Sequence, residues 1–266
     1  MPRAPSRAPQ KQTSAEVHMV QVPAITRGFS ILRYLARTSE SVGVQVCARE
    51  LGIVPSTCFH ILRALVNEDA VVFDPITKKY TLGLGLLTIA STVVRRKPQL
   101  RLLQHDLDSI AKRYGVTVVL GKIADAQRSI VLAVSHGAQA MRFHVGIGTR
   151  YPTLASASGR CFAAYSGIAI PQLSAAVRML HWSTRPTISA WRKEVLLTRM
   201  RGFAIDENHY VAGATALAVP VLDGAARIQA TVAAIGPSEV LDAPTRAALV
   251  EQLQRTAARA TTLLLT

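Results

Sequence analysis

Residues 44–65 place the strongest restriction on the fold of this chain, because they contain two short helical patterns separated by a break at Gly52. Glycine enters the left-handed conformation at little cost and so ends a helix, whereas Pro55 and Ser56 favour the start of the next one. The second helix carries one apolar face at helical spacing, formed by Cys58, Ile61, Leu62 and Leu65. The pattern predicts a helix-turn-helix.

The opposite face of the second helix is polar and aromatic. It presents Ser56, Phe59, His60, Arg63 and Asn67. Hydroxyl, imidazole and guanidinium groups on a short helix can reach base edges and phosphates in the major groove of DNA. A two-helix corner in an ordinary core has the same local pattern, so these residues alone leave both interpretations open.

Residues 70–82 predict a β-hairpin that follows the second helix. Its turn contains Pro75, and its return strand begins with Lys78 and Lys79. On a DNA-binding wing these lysines would lie beside phosphates or in the minor groove. A lysine pair also protects an exposed sheet edge from aggregation, which is the structural alternative.

Residues 26–38 predict a helix that precedes the motif. Its core face is expected to hold Phe29, Leu32 and Leu35 or Ala36. Three helices closed by a hairpin form a winged helix-turn-helix, which we place at residues 21–82. The predicted DNA contacts of this domain are Arg27, Ser56, Thr57, Phe59, His60, Arg63, Lys78 and Lys79.

The length and charge of the chain indicate a second domain and a polyanionic partner. The 266 residues are too many for one winged helix. The net charge of +15 is spread along the chain, since residues 1–99 carry 13 basic and 6 acidic side chains and residues 100–266 carry 18 and 10. The charge therefore favours binding to a polyanion without indicating which domain makes the contact.

The cysteines and the N-terminal residues predict a cytoplasmic protein without a membrane partner. Cys47, Cys58 and Cys161 are too far apart for a Cys-x-x-Cys pair, and their odd number favours reduced thiols. Residues 1–20 are basic and proline-rich with no apolar run behind them, so we expect a disordered tail and no secretory signal. No apolar stretch is long enough to span a bilayer.

Residues 83–98 predict an amphipathic linker helix that ends in a basic turn before Pro98. Its apolar face needs a partner. Packing against the same helix of a second subunit would pair two winged helices on two DNA half-sites.

The pattern from residue 99 onward is mixed α/β. A helix at 99–114 and a closing helix at 243–265, with Leu249, Leu253 and Ala257 on one side, are expected to flank a sheet. The predicted strands lie at 116–123, 129–134, 141–145, 203–207, 214–222 and 228–236, and residues 157–201 are predicted to be helical. The whole chain is therefore predicted to be an α+β protein.

Taken in order, several segments of the chain resemble the IclR (isocitrate lyase regulator) family of bacterial transcription factors. The matching segments are 27–32 (RGFSIL), 48–52 (ARELG), 55–57 (PST), 80–83 (YTLG), 157–160 (ASGR), 201–207 (RGFAIDE) and 218–221 (AVPV). The resemblance implies a winged helix-turn-helix that binds operator DNA and a GAF-like effector domain that senses a small metabolite. It also implies a homodimer or homotetramer. The sequence has no phosphate-loop or dinucleotide-binding motif, so we expect no cofactor.

The resemblance also implies where the effector would bind. The family positions correspond here to Ala157, Ser158, Gly159, Asp206, Ala216, Ala233 and Ile235. Free N–H groups at a helix N-terminus are a plausible cradle for a carboxylate, which supports the positions at 157–159 independently.

Four positions depart from the family pattern. Ala216 stands where the family often has cysteine, and Ala233 and Ile235 replace two serines. Because unpaired polar groups would be costly there, we expect a larger, more apolar effector such as an aromatic carboxylate. His60 replaces the usual arginine of the recognition helix, so the operator sequence of relatives does not transfer.

The sequence supports an enzyme less well than a DNA-binding regulator. Cys161 with His144 or His181 could form a Cys-His pair, but Cys161 is expected to be a small packed residue. Ser156 and Ser158 lack the first glycine of a nucleophile elbow. Asp206, Glu207 and His209 could suggest a metal, yet adjacent residues of a strand point to opposite faces. A GAF-like enzyme or sensor whose winged helix contacts proteins remains the alternative function.

Overall fold

A computed structural model describes residues 22–95, 98–138 and 145–265 of the chain. These residues form two compact units, with the boundary between Val93 and Val94. The tail predicted at residues 1–20 lies outside the described residues.

The N-terminal unit is a winged helix-turn-helix, as predicted. Its helices are α1 (Pro23–Arg37), α2 (Val44–Leu51) and α3 (Pro55–Asn67), and its strands are β1 (Val42–Gly43), β2 (Val71–Asp74) and β3 (Lys79–Leu82). The antiparallel sheet has the order β1-β3-β2. The two-residue strand β1 is too short to give an alternating pattern, so the sequence did not predict it.

Local signals explain the turn between α2 and α3. Gly52 adopts φ 62°, in the left-handed region, and the N–H of Ile53 donates to the carbonyl oxygen of Ala48 at 2.9 Å. Pro55 then occupies the first turn of α3. Cys58 and Leu62 are fully buried against Ile31 and Leu35 of α1, together with the other members of the same core.

The predicted core face of α1 is wrong at Phe29, whose side chain is 54% exposed. The buried residues of α1 are instead Gly28, Ile31 and Leu35. Gly28 faces α3, where an added Cβ would be in ordinary van der Waals contact, 3.7 Å from the side chain of Ile61. The buried face of α1 is thus offset by one position from the predicted one, and Phe29 lies outside, where Arg33 lies over its ring.

The segment predicted as a linker contains helix α4 (Gly85–Arg95), and helix α5 (Pro98–Tyr114) follows. Residues 96 and 97 lie outside the described residues. Leu84, Leu87 and Ile89 are all more than half exposed.

The C-terminal unit is an α/β domain built on a six-stranded antiparallel sheet with the order β6-β5-β4-β9-β8-β7. Its strands are β4 (Thr117–Ile123), β5 (Arg128–His136), β6 (Arg150–Pro152), β7 (Ala204–Glu207), β8 (Ala214–Leu222) and β9 (Ile228–Pro237). Its further helices are α6 (Ser156–Tyr165), α7 (Ile170–Arg178), α8 (Ile188–Arg201) and α9 (Ala243–Leu265).

Two hydrophobic cores cover the two faces of this sheet. One joins α5 and α9 to the sheet and includes Leu249, Leu253 and Ala257, as predicted. The other joins α6, α7 and α8 to the opposite face. The strand predicted at 141–145 falls almost entirely outside the described residues, and the edge strand β6 was not predicted. Among the helices of the described part of the chain, none is long and apolar enough to cross a bilayer.

Candidate functional site

The outer face of α3 presents the side chains predicted to read DNA. Ser56, Phe59, His60 and Arg63 are exposed, and Thr57 is half-buried. The rings of Phe59 and His60 meet edge to face with their centroids 5.7 Å apart. An exposed aromatic ring beside an imidazole and a guanidinium group is suited to contact base edges in a groove.

The hairpin turn is held by one carboxylate. Asp74 accepts hydrogen bonds from the Thr77 hydroxyl at 2.6 Å and from the Ile76 N–H at 2.8 Å, which lower the pKa of Asp74. Lys78 closes the turn with φ 57°, a left-handed conformation that is unusual for lysine. Lys78 and Lys79 are exposed at the tip, and Arg27 is exposed on α1.

The C-terminal unit contains a cavity of about 190 Å³ between the sheet and the start of α6. Its lining among the described residues consists of Val119, Val145, Thr149, Tyr151, Ala155, Ser156, Ser158, Asp206, Tyr210, Val211, Ala214, Ala216, Ala233 and Ile235. Five predicted effector residues therefore lie together: Ser158, Asp206, Ala216, Ala233 and Ile235. Ala157 and Gly159 do not line the cavity.

Ala157 and Gly159 are buried by packing behind the first turn of α6. Ala157 is fully buried, and a Cβ on Gly159 would lie 2.1 Å from the carbonyl oxygen of Leu154. Glycine is therefore required for the close approach of α6 to the preceding loop. These two positions shape the start of the helix, while their neighbours Ser156 and Ser158 face the cavity.

The start of α6 has an unusual backbone. Ser156 adopts φ 53°, and the N-cap residue Ala155 provides no side-chain acceptor. The first amide groups of a helix have no acceptor within it. Successive N–H groups in such a turn form a concave surface suited to an anion.

Asp206 lines the cavity but is already bonded within the protein. Its Oδ1 accepts from the Arg160 guanidinium at 2.7 Å, and its Oδ2 accepts from the Ser156 hydroxyl and the Tyr210 N–H, both at 3.1 Å. The side chains of Arg160 and Asp206 are 1% and 3% exposed. Asp206 thus joins β7, the start of α6 and the loop at Tyr210.

Sequence reasoning missed Arg160 and the aromatic residues of the wall, Tyr151 and Tyr210. Arg160 had a detectable signal, because it precedes the apolar residues Cys161 and Phe162 in a helix, and a buried arginine needs a charged partner. Tyr151 had none, because its strand has only three residues.

The geometry gives no support to the Cys-His pair. Cys161 is fully buried, and its thiol lies 3.3 Å from the carbonyl oxygen of Ala218. Burial raises the pKa of Cys161 to about 12, so the nucleophilic thiolate is disfavoured. His144 lies outside the described residues.

All three thiols are expected to resist alkylation in the folded protein. Cys47 and Cys58 are also buried, and burial raises the pKa of Cys58 and raises that of Cys47 to about 12. Iodoacetamide at about pH 8, followed by mass spectrometry, should label none of them in the native protein within minutes and all three after unfolding. Rapid labelling of Cys161 in the native protein would contradict its placement.

The three residues considered for a metal do not converge on one point. Asp206 is paired with Arg160, and Glu207 faces the other way and contacts Arg246. The Nδ1 of His209 lies 3.4 Å from Asp206 Oδ1. Across the described ranges, no group of three His, Cys, Asp or Glu side chains is arranged to hold a metal ion.

Two family models match the two units of the chain. The model of the IclR helix-turn-helix domain matches residues 24–75, and the model described as bacterial transcriptional regulator IclR C-terminal matches residues 92–262. The chain belongs to the IclR family. It is therefore a DNA-binding transcriptional regulator.

Individual IclR proteins resemble the chain over most of its length. The glycerol operon regulatory protein of Streptomyces griseus is 29% identical over 224 residues, which cover 83% of this chain and 87% of that protein. The crystal structure of an IclR regulator from Alicyclobacillus acidocaldarius has a TM-score of 0.79 at 24% identity and covers 92% of this chain and 99% of its own.

A second solved structure is an IclR homologue from Microbacterium hydrocarbonoxydans complexed with 4-hydroxybenzoate. Its TM-score is 0.71 at 20% identity, with coverage of 91% of this chain and 98% of that one. Both structures show that the fold of the chain is the IclR fold. The curated relatives are named regulators and repressors, in keeping with a regulator rather than an enzyme.

Proposed function

We propose that the C-terminal unit binds an aromatic or otherwise apolar carboxylate and that this binding alters how the winged helix occupies its operator or contacts polymerase. The observation that carries the proposal is the composition of the cavity. Ala216, Ala233, Ile235 and Val119 form an apolar floor on the sheet, and the uncapped start of α6 borders it.

The floor favours an apolar ligand surface. Adjacent strands bring Ala216 and Ile235 into register, and likewise Ala233 and Val119. None of these side chains can donate or accept a hydrogen bond, so a keto or hydroxyl group placed over the floor would lose its water without compensation. The solved homologue that holds 4-hydroxybenzoate supports the same class of ligand.

The start of α6 favours a carboxylate at the border of this floor. The free amide groups there carry partial positive charge. The carboxylate of Asp206 does not cancel this partial positive charge, because Arg160 neutralises Asp206 and its oxygens already accept hydrogen bonds from the protein.

Calorimetric titration with matched acids tests the proposal. We expect benzoate and 4-hydroxybenzoate to bind and glyoxylate and pyruvate to bind far more weakly, because only the aromatic acids cover the apolar floor. Tight binding of only the small keto acids would contradict the proposed ligand class.

Ala233→Ser is expected to weaken benzoate binding by about 1–3 kcal/mol, because the added hydroxyl would lose water without gaining a partner on an aromatic ring. Ala258→Ser, at an exposed position of α9, is the matched control and should leave the affinity unchanged. Equal effects of the two substitutions, measured by the same titration, would argue against direct contact of Ala233 with the ligand.

We further propose that the DNA contacts come from Arg27, Ser56, Thr57, Phe59, His60, Arg63, Lys78 and Lys79, and that Ala157, Ser158, Gly159, Asp206, Ala216, Ala233 and Ile235 form or support the effector site. The proposed domains are residues 21–82, 83–98 and 99–266. The exposed Leu84, Leu87 and Ile89 support association into a homodimer or homotetramer through the linker helix.

A further inference from the structure

Tyr151 occupies a notch that a glycine creates. A Cβ on Gly121 would lie 1.9 Å from the Tyr151 hydroxyl oxygen and 3.1 Å from its ring carbon Cζ. Gly121 does not need a left-handed backbone, since its φ is not positive. A side chain at 121 would therefore collide with the tyrosine hydroxyl, and a substitution there must displace Tyr151.

Hydroxyl groups surround the Tyr151 side chain in this notch. Burial raises the pKa of Tyr151, and the neighbouring hydroxyl groups of Thr231, Ser129 and Ser158 oppose that shift. Ser129 and Thr231 are each 1% exposed, so these neighbours lie within the protein. The Tyr151 hydroxyl is thus directed toward the sheet.

Two hydroxyl groups behind this contact are fixed by hydrogen bonds. The Thr153 hydroxyl donates to the carbonyl oxygen of Asp125 at 2.9 Å, so it can only accept from Ser129, which lies 2.9 Å away. The ring of Tyr151 forms part of the cavity wall.

We propose that Tyr151 determines the size selectivity of the effector site, ending the cavity so that single-ring carboxylates fit and fused two-ring carboxylates are excluded. The inference rests on the proposed function, since it assumes an aromatic carboxylate as ligand. Its physical basis is that Tyr151 lines the cavity while its hydroxyl fills the notch beside Gly121. In a close-packed interior a second ring could enter this region only if the tyrosine side chain left it.

Substitutions of Tyr151 and of Gly121 should have opposite effects on the room available to the ligand. Tyr151→Ala opens the notch to the cavity and makes room for a second ring. Gly121→Ala forces the tyrosine out of the notch toward the ligand. In Gly121→Ala/Tyr151→Phe the clash with the hydroxyl is gone and the new methyl carbon would lie 3.1 Å from ring carbon Cζ, so the ring can return after a shift of a few tenths of an ångström.

The test compares benzoate with 2-naphthoate by calorimetric titration of the full chain. We expect Tyr151→Ala to raise the ratio of 2-naphthoate to benzoate affinity by about tenfold or more. Gly121→Ala should lower benzoate affinity by about tenfold, and the Gly121→Ala/Tyr151→Phe variant should recover part of that loss. Tyr114→Phe, which removes a buried and unbonded hydroxyl elsewhere in the unit, is the matched control and should change neither affinity.

The outcomes separate this inference from the proposed function. A wild-type protein that binds neither acid contradicts the proposed ligand class and the inference with it. If the wild type binds benzoate but also binds 2-naphthoate equally well, or if Tyr151→Ala leaves the ratio unchanged, the inference alone is overturned. Should Tyr151→Ala fail to fold, as judged by circular dichroism, the Gly121 variants decide, because absence of rescue by Tyr151→Phe also overturns it.

Discussion

Arg160→Met is expected to lower the free energy of unfolding of the C-terminal unit by about 3–5 kcal/mol. The substitution keeps most of the side-chain volume in the core but leaves the carboxylate of Asp206 buried without its counter-ion. The two hydrogen-bond donors that remain, the Ser156 hydroxyl and the Tyr210 N–H, are neutral, and the Nδ1 of His209 lies farther from Asp206 Oδ1 than the guanidinium does, at 3.4 Å against 2.7 Å. The cost of an unpaired buried charge dominates this effect.

Urea denaturation measures the change in the free energy of unfolding, and two further variants serve as controls. Arg255→Met removes an ion pair to Glu251 in which both side chains are more than half exposed, so it should cost about 0–1 kcal/mol. Arg160→Met/Asp206→Asn should be less destabilised than the sum of its single substitutions, because no charge remains unpaired. If Arg160→Met costs no more than Arg255→Met, the pair does not stabilise the unit as described.

Removing both wing charges is expected to weaken operator binding by about tenfold or more and to flatten the salt dependence of binding by about two phosphate contacts. Lys78 and Lys79 lie exposed at the tip of the hairpin, where each can neutralise one phosphate. The loss should be similar for operator and unrelated DNA, because phosphate contacts carry no sequence information.

The substitutions are chosen to preserve the turn. Lys78→Gly suits φ 57°, whereas alanine there would keep the strain of a left-handed residue. Lys79→Ala completes the pair, and Lys122→Gly/Lys193→Ala removes equal charge from exposed positions in the C-terminal unit. Fluorescence anisotropy with DNA from upstream of the gene, repeated over a series of salt concentrations, gives the affinity and the slope of its salt dependence. An unchanged slope in the wing variant would contradict phosphate contact.

Arg63→Ala provides the contrast within the same experiment. Arg63 is exposed on α3 beside His60, so its loss should cost about 1–3 kcal/mol on the operator and relax discrimination at the base it contacts. The wing variant should weaken all sequences alike, and the two effects can therefore be told apart.

The elements of this chain were predictable where the signal is local. Gly52 marks the end of α2 and Pro55 marks the start of α3, because each residue type restricts or permits particular backbone angles at its own position. The strands β8 and β9 were predicted nearly to their ends because apolar, β-branched runs of that length favour strands. The effector positions taken from the family resemblance were brought together at the cavity in five of seven cases.

The sequence by itself thus determined the winged helix, the α/β unit and the apolar character of the residues at 216, 233 and 235. Only the tertiary structure decided which face of α1 is buried, what neutralises Asp206 and why position 121 is glycine. Each of these depends on contacts between residues far apart in the chain: Ile31 and Leu35 with the core of the winged helix, Arg160 with Asp206, and Gly121 with Tyr151. No local propensity encodes such contacts, because they arise only when packed elements bring the side chains together.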